Sequence, residues 1–276
     1  MDGFPDQPAA THTVIDRRRH LDRGRRDDPM LGLRGVRNLR DLASAKPANA
    51  RLRSGLIYRA DGLHRCGHDA AQLVADLGVR RVLDLRTDRE RSADGVFEHP
   101  DIVTVHIPML EQLEHLADRR SELGGDLMLE FYLGIAASNS GAIALTIAEL
   151  IASVLDNEPV IFHATLGKDR TGIIAALALA LAGVDDHLIA LDYARSADAL
   201  AQQGDGQRDN PMTERRSLLA AIGFGDREQA QLLGAVPATM RGFLDRIRRH
   251  YGSIEDYLAW GGTDRAELER VRAALA

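Results

Sequence analysis

A single cysteine, two lysines and no apolar run long enough to cross a bilayer are what this 276-residue sequence most plainly lacks. Cys66 alone cannot form an internal disulfide, and the N-terminus lacks the basic, apolar, small-residue order of a secretory signal. A reducing cytoplasm is therefore the expected compartment. The apolar stretch Ile173 to Val184 is twelve residues, well short of the roughly 20 that span a membrane. It reads as a buried helix, and no membrane span is expected. Strong positive charge is missing as well: 41 acidic residues against 35 basic ones leave a formal charge of −6. That balance disfavours a broad phosphate-backbone footprint, so nucleic acid is not the expected partner.

What is present is ample core-forming material. With 45% hydrophobic and 28% charged residues, the chain can bury a core and keep a solvated surface, which excludes disorder, collagen-like repeats and coiled coil as overall descriptions. Single α/β domains commonly reach this length, and one domain over residues 31–276 is expected. Residues 1–30 carry Pro5, Pro8 and a run of six arginines and four aspartates from Asp16 to Asp28. With few apolar anchors to offset its ordering entropy, that segment reads as a flexible N-terminal extension.

From Leu56 onward, short apolar runs at Leu56–Tyr58, Arg81–Leu85, Ile102–Ile107 and Pro159–His163 alternate with helical stretches at about 69–77 and 126–156. This alternation predicts an α/β fold, a mostly parallel central sheet flanked by helices. After residue 170 the pattern is helical almost to the end, broken at Gly204–Pro211, Gly223–Gly225 and Gly261-Gly262, with Ser253 and Thr263 as expected N-caps. The loosest segments, 109–140 and 197–235, are candidate lids over whatever site the sheet carries.

The most informative stretch is His163-Ala164-Thr165-Leu166-Gly167-Lys168-Asp169-Arg170-Thr171-Gly172, set between a strand and an apolar helix. A tight loop entering a helix gathers backbone N–H groups and the positive end of the helix dipole, and Arg170 adds a bidentate fork. A phosphate fits such a cradle. It is not a Walker loop, because Phe162 stands where the first glycine would be and Asp169 follows Lys168.

These ten residues resemble the signature loop of the cysteine-dependent protein tyrosine phosphatases, in particular the bacterial, PtpB-like tyrosine/dual-specificity branch. The resemblance extends to Asn38-Leu39-Arg40-Asp41-Leu42, Tyr58-Arg59, Asp84-Leu85-Arg86, Asp192-Tyr193 with Arg195-Ser196, and Tyr251-Gly252-Ser253 with Tyr257-Leu258, over residues 31 to 276. It implies hydrolysis of a phosphate monoester through a phosphocysteine, with no cofactor or metal. The family's nucleophilic cysteine falls on Ala164, and alanine has no nucleophile. The loop is otherwise intact, which suggests a deliberate replacement that leaves an inert, substrate-trapping form of an active parent. The alternative is a natural pseudophosphatase acting as a binding scaffold.

By the same resemblance Thr165, Leu166, Gly167, Lys168, Asp169, Arg170 and Thr171 would hold the phosphate. Arg170 would stabilise its equatorial oxygens, Asp169 would be the general acid and His163 would order the loop. Lys168 is expected to add a second positive charge to the anion site. Thr171 is placed either to hydrogen-bond the nucleophile position or simply to begin the helix. Glu111 is a candidate auxiliary acid, and Arg59, Arg86 and Arg195 are expected around the pocket mouth, with structural ion pairing as their alternative role.

Neither Thr165, which has no evident base beside it, nor Cys66, which has no arginine six residues on, is expected to replace the nucleophile. His64, Cys66, His68 and Asp69 are possible zinc ligands, but no second ligand pair of matching spacing appears. The expected partner is a phosphorylated protein or small nucleotide-like metabolite; the oligomeric state is not readable.

Overall fold

A computed structural model describes residues 36–45, 52–111, 113–119, 125–201 and 211–275. The extension expected at 1–30 and most of the break expected at 204–211 lie outside these residues. Among the described residues one five-stranded sheet forms from β1 (Arg40–Asp41), β2 (Ile57–Ala60), β3 (Arg81–Asp84), β4 (Val103–His106) and β5 (Val160–His163), in the order β1-β2-β5-β3-β4. β1 is antiparallel to β2, and all other pairings are parallel. The α/β expectation holds. The four longer strands fall on the apolar runs read from the sequence, whereas β1 is a polar pair with no such signal.

Register decides where the site lies. Ala60 pairs with His163, His163 with Asp84, and Asp84 with His106, so the last residues of four strands form one row. The loops that follow open on one edge, the carboxyl edge where parallel sheets bind ligands. Alternation along the strands divides the core. Ile57, Leu83, Val160 and Phe162 face the larger cluster, while Tyr58, Ala60, Val82 and Ile161 face a smaller one under α1 (His68–Asp76). The larger face is covered by α5 (Ser140–Asp156) and α6 (Asp169–Leu181), whose Ile173–Leu177 segment is wholly buried.

The helical stretch expected at 126–156 is in fact two helices, α4 (Leu127–Ser138) and α5, bent by 82° at Asn139. Asn139 supplies the cause: its Nδ2 donates to Ile135 O and Leu110 O at 2.8 and 3.0 Å, and its Oδ1 accepts from Leu110 N at 2.7 Å. The side chain spends its hydrogen bonds on a distant loop, and the axis turns there. α2 (Asp88–Asp94) and α3 (Leu113–Arg119) flank the carboxyl edge.

The remainder is helical as expected, with α7 (Asp186–Ala201), α8 (Pro211–Ala221), α9 (Asp226–Leu233), α10 (Pro237–Tyr251), α11 (Ile254–Trp260) and α12 (Arg265–Leu275). Ser253 caps α11 by accepting from Asp256 N. Thr263 does not cap α12. Its hydroxyl donates to Ala144 O, and Asp264 accepts from Ala266 N instead. Among the described residues no single helix is long and apolar enough to cross a membrane.

Candidate active site

Loop 164–168 leaves β5 at the centre of the carboxyl edge and enters α6. Gly167 sits at φ +65°, and a Cβ there would lie 2.7 Å from Ala60 O and Asp61 N, so only glycine fits. Its carbonyl accepts from Asn38 Nδ2 at 2.7 Å and Arg59 Nη2 at 2.8 Å, both buried beneath the loop. A trans peptide is planar, so drawing this carbonyl inward turns the Lys168 N–H the opposite way, away from Arg59. Gly172 is the first α6 residue to donate to Lys168 O, which leaves the amides of the first turn without helical acceptors. Ala164 lies on the cavity floor, almost completely buried.

A buried polar network backs this loop. Arg59 also donates to Asp192 Oδ2 at 3.0 Å and Thr171 Oγ1 at 3.1 Å, and Arg40 Nε donates to Asp192 Oδ1 at 2.7 Å. Ser196 Oγ accepts from both Arg40 and Asn38 at 3.3 Å. Burial pushes the Asp192 carboxyl up, but the two guanidiniums outweigh it and hold the group below its usual value.

The arginines expected at the mouth are therefore elsewhere. Arg59 is fully buried under the loop, Arg86 is buried against both Asp84 oxygens and Gly95 O, and Arg195 reaches Ser44 Oγ on the far side of the network. Their structural alternative prevails because carboxylates and carbonyls inside the fold claim their donors. Thr171 is likewise turned to Arg59. His163 accepts from Leu63 N at 3.4 Å, a link to the segment after β2 and not within its own loop, and burial lowers its pKa to about 4.

Arg170 is held from two sides. Glu90 takes both Nη atoms at 2.7 Å, and Glu111 Oε1 lies 3.0 Å from Nε. Glu90 also accepts from the Thr165 hydroxyl at 2.5 Å and closes the capping box of α2 with Thr87. Burial raises the Glu90 carboxyl, yet Arg170 outweighs it and holds the group well below the ordinary carboxylate range. Glu111 in turn accepts from Arg215 Nη1 at 2.6 Å, with the Arg215 guanidinium stacked 5.7 Å from the Phe131 ring centre. Asn139 fixes the backbone immediately before Glu111 through its paired bonds to Leu110.

Lys168 does not join the anion site. Its ammonium is buried, donating to Leu232 O and Gly234 O at 2.8 and 2.9 Å, with Asp169 Oδ1 at 3.2 Å. The carbonyls at the end of α9 draw it in. Asp169 Oδ1 accepts from the Tyr132 hydroxyl at 2.9 Å, which itself meets the Tyr193 hydroxyl at 2.8 Å. Burial raises the Asp169 carboxyl, while Lys168, Arg215 and Tyr132 together hold it below its usual value. The ligand-free group is thus a carboxylate. A phosphate dianion beside it would raise its proton affinity.

Residues 164–170, α2 with Thr87 before it, residues 110, 111, 113 and 114, and α8 line a cavity of about 610 Å³. Both segments expected as lids contribute walls, 109–140 through Glu111 and Glu114 and 197–235 through Glu214 and Arg215. Cys66 is not on this cavity, and burial pushes its thiol up to about 11, so it is no substitute nucleophile. Among the described residues no three or more His, Cys, Asp or Glu side chains gather as a metal site. Residues assigned no role from the sequence include Asn38, Glu90, Tyr132, Asn139 and Arg215. Of these, Asn38 lay in a segment of the resemblance, and Glu90 had a readable signal in the Thr87-x-x-Glu90 capping-box spacing.

Residues 31–276 match the model of the tyrosine phosphatase family. The chain is 28% identical over 277 residues to the triple specificity protein phosphatase PtpB of Mycobacterium tuberculosis, covering 88% of this chain and 98% of the relative. It is 29% identical over 244 residues to a tyrosine-protein phosphatase of Nostoc commune, covering 84% of this chain and 76% of the relative. The crystal structure of TpbA from P. aeruginosa overlaps 65% of this chain and 87% of its own at 18% identity, with a TM-score of 0.34, too slight to carry an argument. On the match across nearly the whole chain, this protein belongs to the tyrosine phosphatase family.

Proposed function

We propose that this chain carries the phosphomonoester site of a phosphatase that works through a phosphocysteine, and that Ala164 leaves it able to bind such ligands without turning them over. The supporting observation is the loop itself. Gly167 is drawn inward by Asn38 and Arg59, Arg170 stands at the first turn of α6, and Ala164, almost completely buried, lines the same cavity. With cysteine at 164, the thiolate would attack phosphorus and the ester oxygen would leave with a proton from Asp169. Water would then cleave the phosphocysteine, its proton passing back to Asp169. Arg170 and the loop amides would hold the equatorial oxygens throughout. The substrate class is a phosphotyrosine or phosphoserine protein or a small phosphorylated metabolite, met in the cytoplasm.

An inert form made by replacing cysteine is the favoured history. The second reading, a natural scaffold with an encoded alanine, draws on the occupation of Arg170 by two carboxylates; the codon at 164 in the parent gene separates the two. The functional test is Ala164→Cys, assayed without metal on an aryl phosphate, beside aryl phosphate binding by the unaltered chain. Vanadate-sensitive turnover by the variant and binding without phosphate release by the unaltered chain are expected. A folded variant with no turnover, together with an unaltered chain that binds no phosphate ester, would sink the proposal.

A further inference from the structure

We propose that the mouth of this cavity selects phosphomonoesters carried on a cationic scaffold, a basic phosphopeptide, over polyphosphorylated small molecules. The proposal rests on the phosphomonoester reading above and adds the chemistry of what surrounds the phosphate.

The floor has little positive charge to spare. Arg170 is matched by Glu90 and Glu111, Arg215 by Glu111, and Lys168 is withdrawn to Asp169 and two carbonyls. One dianion can compete for Arg170 and the loop amides. A second phosphate nearer the mouth would meet the exposed carboxylates of Asp94, Glu114 and Glu214, against one exposed base among the described lining residues, Arg89, and Arg65 just outside the lining, whose charge Asp94 and Glu214 share with Asp61. His64 Nε2 lies 3.9 Å from Asp94 but offers it no charge, because burial lowers the imidazole pKa to about 3.

The apolar part of the mouth fits the same ligand. Leu110 is 53% exposed and Leu218 is 41% exposed, both on the cavity wall. Leu110 neighbours Glu111 in the segment that leads to Glu114, and Leu218 lies one helical turn from Glu214 on α8. Lysine and arginine side chains lay their methylene stems on such surfaces and keep their charged heads on neighbouring acids. A polyphosphate has no group for the leucines and repels the carboxylates.

The experiment uses the full chain and measures affinity for two phosphotyrosine peptides of equal length, one with flanking lysines and one with flanking glutamates, and for inositol hexakisphosphate. The basic peptide should bind on the order of tenfold more tightly than the acidic one at low salt, and the ratio should shrink in high salt as the rim charges are screened. In Glu114→Gln/Glu214→Gln the ratio should fall toward one. Equal affinities in the unaltered chain, a preference that survives the double substitution, or tightest binding of the hexakisphosphate would overturn the proposal while leaving the phosphomonoester reading in place. Failure of both peptides and of inorganic vanadate to bind would overturn that reading too.

Discussion

Glu90 and Arg170 meet fork to fork, with Nη1 to Oε2 and Nη2 to Oε1 both at 2.7 Å. The guanidinium that the loop would offer to a phosphate is thus already engaged by a carboxylate from another helix. The same Glu90 caps that helix at Thr87 and accepts from Thr165, so a single side chain sets the resting state of the site.

Replacing it, Glu90→Gln, should therefore lower stability by about 1–2 kcal/mol at neutral pH, a figure reduced for its partial exposure. The pH dependence follows from the sign of the shift. A carboxyl held below its usual value of 4.5 contributes stability above that value and loses it as pH falls further. Urea unfolding at about pH 7 and pH 3.5 should show an acid loss in the unaltered chain that is smaller in the variant. Equal acid losses would remove Glu90 from the explanation.

Gly167→Ala places a methyl group against Ala60 O and Asp61 N in a left-handed backbone. The cost should be about 2–4 kcal/mol, because the clash is with backbone and cannot be relieved by a rotamer. Phosphate affinity, read by calorimetry on the folded fraction, should fall with it, since the loop carbonyl must shift. Unchanged stability and affinity would mean that the loop tolerates a different path.

Under the loop, Arg59→Ala would leave Asp192 with one of its two buried cations and the Gly167 carbonyl with Asn38 as its one remaining side-chain donor. A loss of about 3–5 kcal/mol is expected, the range for breaking a buried ion pair from one side. Arg59→Lys should recover only part of it, because an ammonium cannot span Asp192, Gly167 and Thr171 at once. Full recovery by lysine, measured by chemical denaturation, would argue that charge alone matters there.

Asp61 shifts in the opposite sense. Burial raises its pKa from 3.8 to about 6, against the Arg37 amide and the Arg65 charge. A raised carboxyl favours the folded state when protonated, so that contribution is complete below pH 3.8 and is lost as pH rises through about 6. Asp61→Asn should flatten the stability profile across this window by up to about 3 kcal/mol, judged from a shift of about two units. An unchanged slope would assign the titration to another group.

The sequence made the scaffold legible and left the wiring hidden. Apolar runs placed β2 to β5, and the strand–loop–helix passage at 163–172 was readable as such, because those signals are local. The partners that bury Arg59 and Lys168 are mostly not local, whereas Arg86 pairs with Asp84 only two residues away. Arg59 meets Asp192 across 133 residues and Lys168 meets Leu232 across 64, and no periodicity encodes such pairings. Lys168 was expected beside the anion for its charge, and the resemblance set Arg59 at the pocket mouth or in a structural ion pair, whereas the carboxylate and carbonyls that claim these two lie far along the chain. The bend at Asn139 escaped for a related reason: an asparagine inside an apolar helical pattern does not reveal that its amide belongs to Leu110.

That bend also supplies an internal reporter. The Leu110 amide sits outside any helix or strand, yet it donates to Asn139 Oδ1 at 2.7 Å, so its exchange with solvent deuterium is governed by the α4–α5 corner and not by its own loop. Slow exchange at that one amide would measure how often the corner opens, and each opening releases the segment that brings Glu111 to Arg170. A local unfolding event in the helical layer is thereby read out at the floor of the cavity.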